Sequence, residues 1–356
     1  MATDPAEAIE QCHRLGWTDG LPVVPPTEAL VLRFLDELGW DADDVVLHEP
    51  VRGVTVHAGA VVVNAVMAGC RPDHLPVVAA VLRAMGHPDF RLHIPSSSTG
   101  GAAPVVVVNG PVRHEIDLNC AGNVFGAGRR ANAAIGRAVR LVLWNCLGAR
   151  TGELDLATQG WFGKYTACFG EREEASPWPP LHVRLGFAPE VSTVTVLATE
   201  SPHNIHTAND AAAEAVLTCA SDVVRTLGSH SDGVSYIVVC PEHARVLARD
   251  GWTVPLLQQR LFESSRRTIA ELRRGGRLEG PHRPGDDART RPRGRTPDDF
   301  VVLVAGGDAG YSSAWFPSWS RGRGSVAVTV PVDPAAGSAV VSVPGPADAP
   351  GLGDGP

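Results

Sequence analysis

No apolar run in the 356 residues reaches the length of a membrane span, and no Cys-x-x-Cys pair occurs. Walker A, Gly-x-Ser-x-Gly, His-Glu-x-x-His and EF-hand patterns are missing as well, which removes the usual support for nucleotide, serine-hydrolase and zinc-protease chemistry. Positive charge is in the minority. The 31 Lys and Arg against 39 Asp and Glu give a formal charge of −8, and the basic residues are scattered except in one late segment, unlike the footprint of a nucleic-acid binder. The first residues are acidic and lack an apolar signal region, so the expected location is the cytoplasm. Cysteine is present seven times, at 12, 70, 120, 146, 168, 219 and 240. An odd number without paired spacing argues against a disulfide framework or structural zinc and for buried thiols.

What is there is a 44% hydrophobic chain long enough for one large domain or two smaller ones. Thr27 caps an expected helix over 28–38, and helical spacing marks 55–70, a helix entered at Pro72, and 208–227. Strands are expected at 45–48, 90–94, 104–109, 191–198, 235–240, 300–305 and 326–332, and a basic exposed helix at 260–274. A helix, a turn containing Gly and His, and a strand ending before proline occur at 74–111 and again at 208–241. The pattern implies an α/β fold of mixed sheets with packed helices, with two similar α/β halves in one integrated unit and a ligand between them. The corresponding division is a first half over 1–150, a second over 151–273, a flexible basic insertion at 274–299, returning strands over 300–333 and a disordered Pro/Gly/Ala tail at 334–356.

The stretch 119–132 is glycine-punctuated and feeds an apolar helix. Asn123, Gly126, Gly128, Arg129, Arg130 and Asn132 form an expected anion cradle, since glycines admit close backbone approach and a helix start offers free N–H donors. The loop is not a dinucleotide fingerprint, because Gly126-x-Gly128 lacks the third glycine at the right offset. Cys70 stands before the helix entered at Pro72 and beside Arg71, a setting that favours thiolate; the competing role is a thiol filling a helix corner. Cys120, inside the glycine loop, is the second reactive-thiol candidate. His203, with Glu200 beside it, is the acid-base candidate, preferred over His206. Lys164 and Tyr165 complete the catalytic set, although their adjacent placement differs from the Tyr-x-x-x-Lys arrangement of short-chain dehydrogenases.

Gly16 to Thr27 (GWTDGLPVVPPT), Asn64 to Pro72 (NAVMAGCRP) and Gly122 to Asn132 (GNVFGAGRRAN) together resemble a bacterial family of UGSC-type (seleno)proteins associated with thiol redox. The similarity extends through Gly163-Lys164-Tyr165-Thr166, Ser176-Pro177-Trp178 and Pro202-His203-Asn204 to Ala305-Gly306-Gly307, and implies one integrated fold. The chain departs from the family in having no UGSC or CGSC motif, in carrying Tyr311 before Ser312 where such sequences tend to have histidine, and in Cys120. The expectation is an enzyme acting on a small anionic metabolite through a reactive cysteine, by thiol-dependent redox, sulfur transfer or addition-elimination. The alternatives are His/Glu acid-base or metal-assisted lyase or hydratase chemistry, and a non-catalytic partner subunit. No metal ligand set is assigned and the cofactor is unknown. A small-molecule substrate is the expected partner, with no nucleic acid or membrane, and a homo-oligomer or a redox partner protein is left open.

Overall fold

The computed structural model describes residues 4–208, 212–320, 326–333 and 340–343. Helix α1 (Pro5–Arg14) begins where the Asp4 carboxylate accepts from the Ala6 N–H, and α2 (Glu28–Leu38) where the Thr27 hydroxyl accepts from the Leu30 N–H. A ribbon of β1 (Val45–Glu49) and β2 (Val54–His57) leads into α3 (Ala58–Ala68), and a single turn at Pro72–His74 into α4 (Leu75–Gly86). Then come β3 (Ala103–Asn109), α5 (Val112–Glu115), α6 (Arg130–Asn145), β4 (Cys168–Gly170), α7 (Leu181–Arg184), β5 (Thr193–Thr199) and β6 (His203–His206). The second part of the chain runs α8 (Ala213–Val224), β7 (Ser235–Val239), α9 (Pro241–Arg249), α10 (Val254–Ser264), β8 (Arg267–Thr268) and α11 (Ile269–Arg274). It closes with β9 (Thr290–Arg291), β10 (Phe300–Val304), β11 (Ser312–Phe316), β12 (Ala327–Pro331) and β13 (Val341–Val343).

Two mixed sheets form the centre, in the orders β13-β12-β5-β3-β4 and β10-β7-β11-β6. Alternation along each strand decides what each face meets. Val106, Val108, Val194, Val196 and Val328 pack with α3, α4 and α6. Their neighbours Val105, Val107, Leu197 and Ala327 turn the other way and meet Tyr236, Val238, Leu303, Ala314 and Phe316 of the second sheet. The far face of that sheet, with Ile237, Val239, Val302 and Trp315, packs on α8, α9 and α10. The result is an α/β fold in four layers, helices, sheet, sheet, helices, and burial on both faces explains why β3, β7 and β10 read as continuous apolar runs.

Within each sheet a central strand has one parallel and one antiparallel neighbour: β3 lies between β4 and β5, and β7 between β10 and β11. The fourth strand is exchanged. β6 follows β5 in the chain but pairs with β11 of the other sheet, and β12 follows β11 but pairs with β5. The two connections meet at an antiparallel bridge between Thr199 and Ser318, and the Glu200 N–H donates to the Pro317 carbonyl at 3.0 Å. This arrangement matches the internal echo in the sequence, α4-β3-α5 against α8-β7-α9.

Several expectations need correction. A boundary at 150 would separate β3 from β4 and β5, its partners in one sheet. Residues 90–94 form turns rather than a strand, with Arg91 at φ 51° while Phe90 and Leu92 still reach the core. The helix expected over 260–274 is interrupted after Ser264 by β8, whose Thr268 then caps α11. Residues 274–299 are largely exposed, as expected, yet they are anchored to the fold rather than loose: Arg293 is fully buried over the Trp315 ring, and Asp286 is buried against Arg273. The tail contributes β13, whereas 334–339 and 344–356 lie outside the described residues.

Candidate functional site

The glycine-rich loop is fastened at both ends. Asn132, in the first turn of α6, accepts from the Asn119 N–H at 2.7 Å and donates to the Asn119 and Cys168 carbonyls at 3.0 and 3.1 Å. Across the loop, the Gly306 N–H donates to the Cys120 carbonyl at 3.0 Å. A Cβ at Gly307 would stand 3.2 Å from the Gly122 Cα, so two glycine turns from different halves lie against each other, an approach a side chain would hinder. Phe125 drops from the loop edge-on to Phe169 and Phe316, with centroids 5.0 and 5.2 Å away, yet stays 48% exposed.

Phe125 divides two adjoining cavities. One, of about 290 Å³, is walled by Phe125, Trp161, Phe162, Phe169 and Phe316. The other, of about 310 Å³, is lined by Asn123, Asn204, Ser312 and the backbone-rich turn at Gly306 and Gly307. Val124, Phe125 and Pro202 belong to both. His203 also lines the second cavity, and at its edge His206 Nδ1 lies 2.8 Å from the hydroxyl of the lining residue Ser312, at the paired start of β11 and end of β6. Behind them, on the helix side of the sheet, the Ser313 hydroxyl accepts from the Cys240 N–H at 3.0 Å and lies 2.8 Å from His243 Nδ1. The other nitrogen of His243 is 3.0 Å from the Thr207 hydroxyl, and burial holds this imidazole neutral, down to about 4.

The expected site residues are only partly brought together. Asn123 and Gly126 do line the cavities, but the Gly126 N–H is spent on the Asn123 carbonyl at 2.8 Å, and the Asn123 amide donates to the Ala127 carbonyl at 2.9 Å. Gly128 has φ 133° and serves the turn. Neither arginine faces the cavities as an anion ligand: Arg129 pairs with Asp117 at 2.8 Å in solvent, and Arg130 donates to the Gly69 carbonyl at 2.8 Å. That corrects the anion cradle, because neither arginine lines a cavity and each is turned to a partner outside it.

Cys70 is corrected too. Its side chain is buried, 3% exposed, and burial pushes the thiol up to about 12, while Arg71 turns to Asp73 at 2.8 Å. Burial also raises Cys120, only partly opposed by Arg113, and raises Cys168 at the back of the aromatic cavity. His203 alternates with Asn204 in β6 and therefore turns its ring to the helix side, 5.2 Å from Trp315. Glu200 is near it on that side, accepting from the Ser229 hydroxyl at 2.7 Å; burial lowers His203 despite this carboxylate. Lys164 binds both Asp155 oxygens at 2.7 Å, and Tyr165 is half exposed beside it. The residues that sequence reasoning passed over are Asn204, His206 and Ser312. Strand alternation puts Asn204 and His206 on one side of β6 and the His203 ring on the other, and His206 reaches the site through its hydrogen bond to Ser312, while His203 still contributes to the cavity lining.

Among the described residues, no group of three or more His, Cys, Asp or Glu is placed to hold a metal ion, and no helix is long and apolar enough to cross a membrane. No protein-family model matches this chain, and none of the curated proteins or solved structures compared with it does.

Proposed function

We propose that the protein is an enzyme for a small molecule with a polar reacting end and an apolar body, and that it works by acid-base chemistry of the lyase or hydratase type. The observation that carries this reading is the pair of adjoining cavities, one aromatic and one polar, with Ser312 lining the polar one and hydrogen-bonded to His206 at its edge. Apolar walls with a few convergent polar groups are the usual composition of a ligand site. In this reading the Asn204 amide and the free oxygen of Asn123 hold the polar end, and the imidazole of His206 takes up or returns a proton through Ser312. Thiol chemistry, which the family resemblance implies, is less well supported: burial raises Cys70, Cys120 and Cys168 alike, and a thiol is a poor nucleophile until it ionises.

The test incubates the purified protein with a total small-molecule extract and follows consumed and formed compounds by mass spectrometry. His206→Gln and Ser312→Ala should each fold and lower the conversion rate by roughly two or more decades. Conversion that persists in both variants but disappears in Cys70→Ser would return the reaction to the thiol.

A further inference from the structure

A third cavity, of about 550 Å³, continues the trench beyond the aromatic one. It shares Trp161 and Phe162 with that cavity and is also lined by Arg140, Trp144, Lys164, Tyr165 and Ser201. The chain from the β5–β6 connection into β6 follows the whole row: Ser201 lines the third cavity, Pro202 the two others, and His203 and Asn204 the polar one. Phe162 is 87% exposed and Tyr165 46%, an aromatic surface facing water beside a cavity.

Charge in this third cavity is unbalanced. Asp155 is the carboxylate shared by two cations, Lys164 at 2.7 Å and Arg140 at 3.3 Å. Asp155 lies behind these cations rather than in the cavity lining, and Asp19, the acid among the lining residues, is paired with Arg137 at 2.7 Å and acts on Arg140 only at longer range. The Arg140 and Lys164 side chains are only 12% and 15% exposed, so their surplus positive charge is weakly screened. Only one nitrogen of the Arg140 guanidinium has a hydrogen-bond acceptor among the described residues, and its carbon lies 5.6 Å from the Trp144 ring.

From this we infer that the three cavities take one elongated ligand, an amphipathic acid whose carboxylate or other anionic group sits by Arg140 and Lys164 while its far end reaches Asn204 and Ser312. The inference rests on the cleft reading above and adds the class of ligand. The aromatic residues between the two ends hold the apolar chain, and the anion supplies the charge that Asp155 alone leaves unmatched.

Calorimetric titration with ω-phenylalkanoic acids of increasing chain length and their primary amides tests it. The acids should bind at least about tenfold more tightly than the matched amides. Arg140→Gln should abolish that preference, and Arg140→Lys should keep most of it. Asp155→Asn should raise acid affinity without raising amide affinity, a direction that a purely structural ion pair does not give. Phe162→Ala, at an exposed position, should weaken acid and amide alike. If acid and amide bind equally and Arg140→Gln changes neither, while Asn204→Leu still weakens both, the anionic end is refuted and the cleft stands. Absence of binding by every probe counts against both.

Discussion

Three histidines illustrate how much a single buried side chain decides. His74, His230 and His243 are almost fully enclosed, and burial holds them down to about 4, 3 and 4. In an unfolded chain each would titrate near 6.5. Below that pH the unfolded state binds protons that the fold excludes, so stability falls as pH drops from about 6.5 toward 4 and the loss levels off beneath the folded values. Allowing for residual solvent screening, each histidine should cost on the order of 2 kcal/mol when fully protonated. Glu171 acts in the opposite sense, because burial raises its carboxyl and protonation relieves the buried charge. Denaturant titrations from pH 7.5 to 4.5 should show the decline, and His230→Gln, if folded, should flatten it; a flat wild-type profile would contradict the burial of these rings. None of this was legible in the sequence, where a histidine's neighbours are unknown. Cys70 taught the same lesson, since the adjacent Arg71 was visible in the sequence while its turn toward Asp73 was not.

At the level of elements, local signals worked where they were complete. Helix α2 was bounded correctly because a threonine cap and helical apolar spacing agree, and β3, β7 and β10 were placed to within one residue at one end because their apolar runs are unbroken. β4 was missed: three residues between glycine- and proline-rich segments carry no periodicity, and its place is set by pairing with β3. β11 was hidden behind a glycine turn and a polar start at Ser312. That omission also hid the site, because Ser312 faces His206 only through the pairing of β11 with β6. Helix α6 carries a sharper dependence. A Cβ at Gly136 would lie 2.3 Å from the Thr166 hydroxyl and 2.8 Å from the Ala167 N. Gly136→Ala should therefore destabilise the protein by about 1–3 kcal/mol, against the gain that alanine ordinarily brings to a helix, and should shift the wall carrying Trp161 and Thr166. The denaturation midpoint and tryptophan fluorescence would register it; a stabilised variant would mean that the helix does not rest on that wall.

For the whole molecule, strand exchange makes the halves interdependent. β6 is made with the first half and completes the second sheet, and β12 does the reverse. Fragments 1–208 and 212–356 should accordingly copurify in equal amounts when coexpressed and remain unfolded when made alone. Heat should unfold the intact chain in one transition with equal calorimetric and van't Hoff enthalpies. Two separated transitions would contradict the interlock. The sequence hinted at two halves through its echo, but exchange is a matter of which sheet accepts a strand, and alternation looks the same in either. The topology is also that of a swapped homodimer whose two chains have become one. Such a pair would carry two equivalent clefts. In this chain the end of β7 and β10 is open beneath the glycine loop, whereas the matching end of β3 and β4 is filled by Asn109, Glu171 and Leu181, with Asn109 donating to Glu171 at 2.6 Å and Glu171 accepting from the Leu181 N–H at 2.8 Å. Within a single chain, unlike a homodimer, the two cleft ends need not match, so one mouth can be closed by its own side chains while the other stays open.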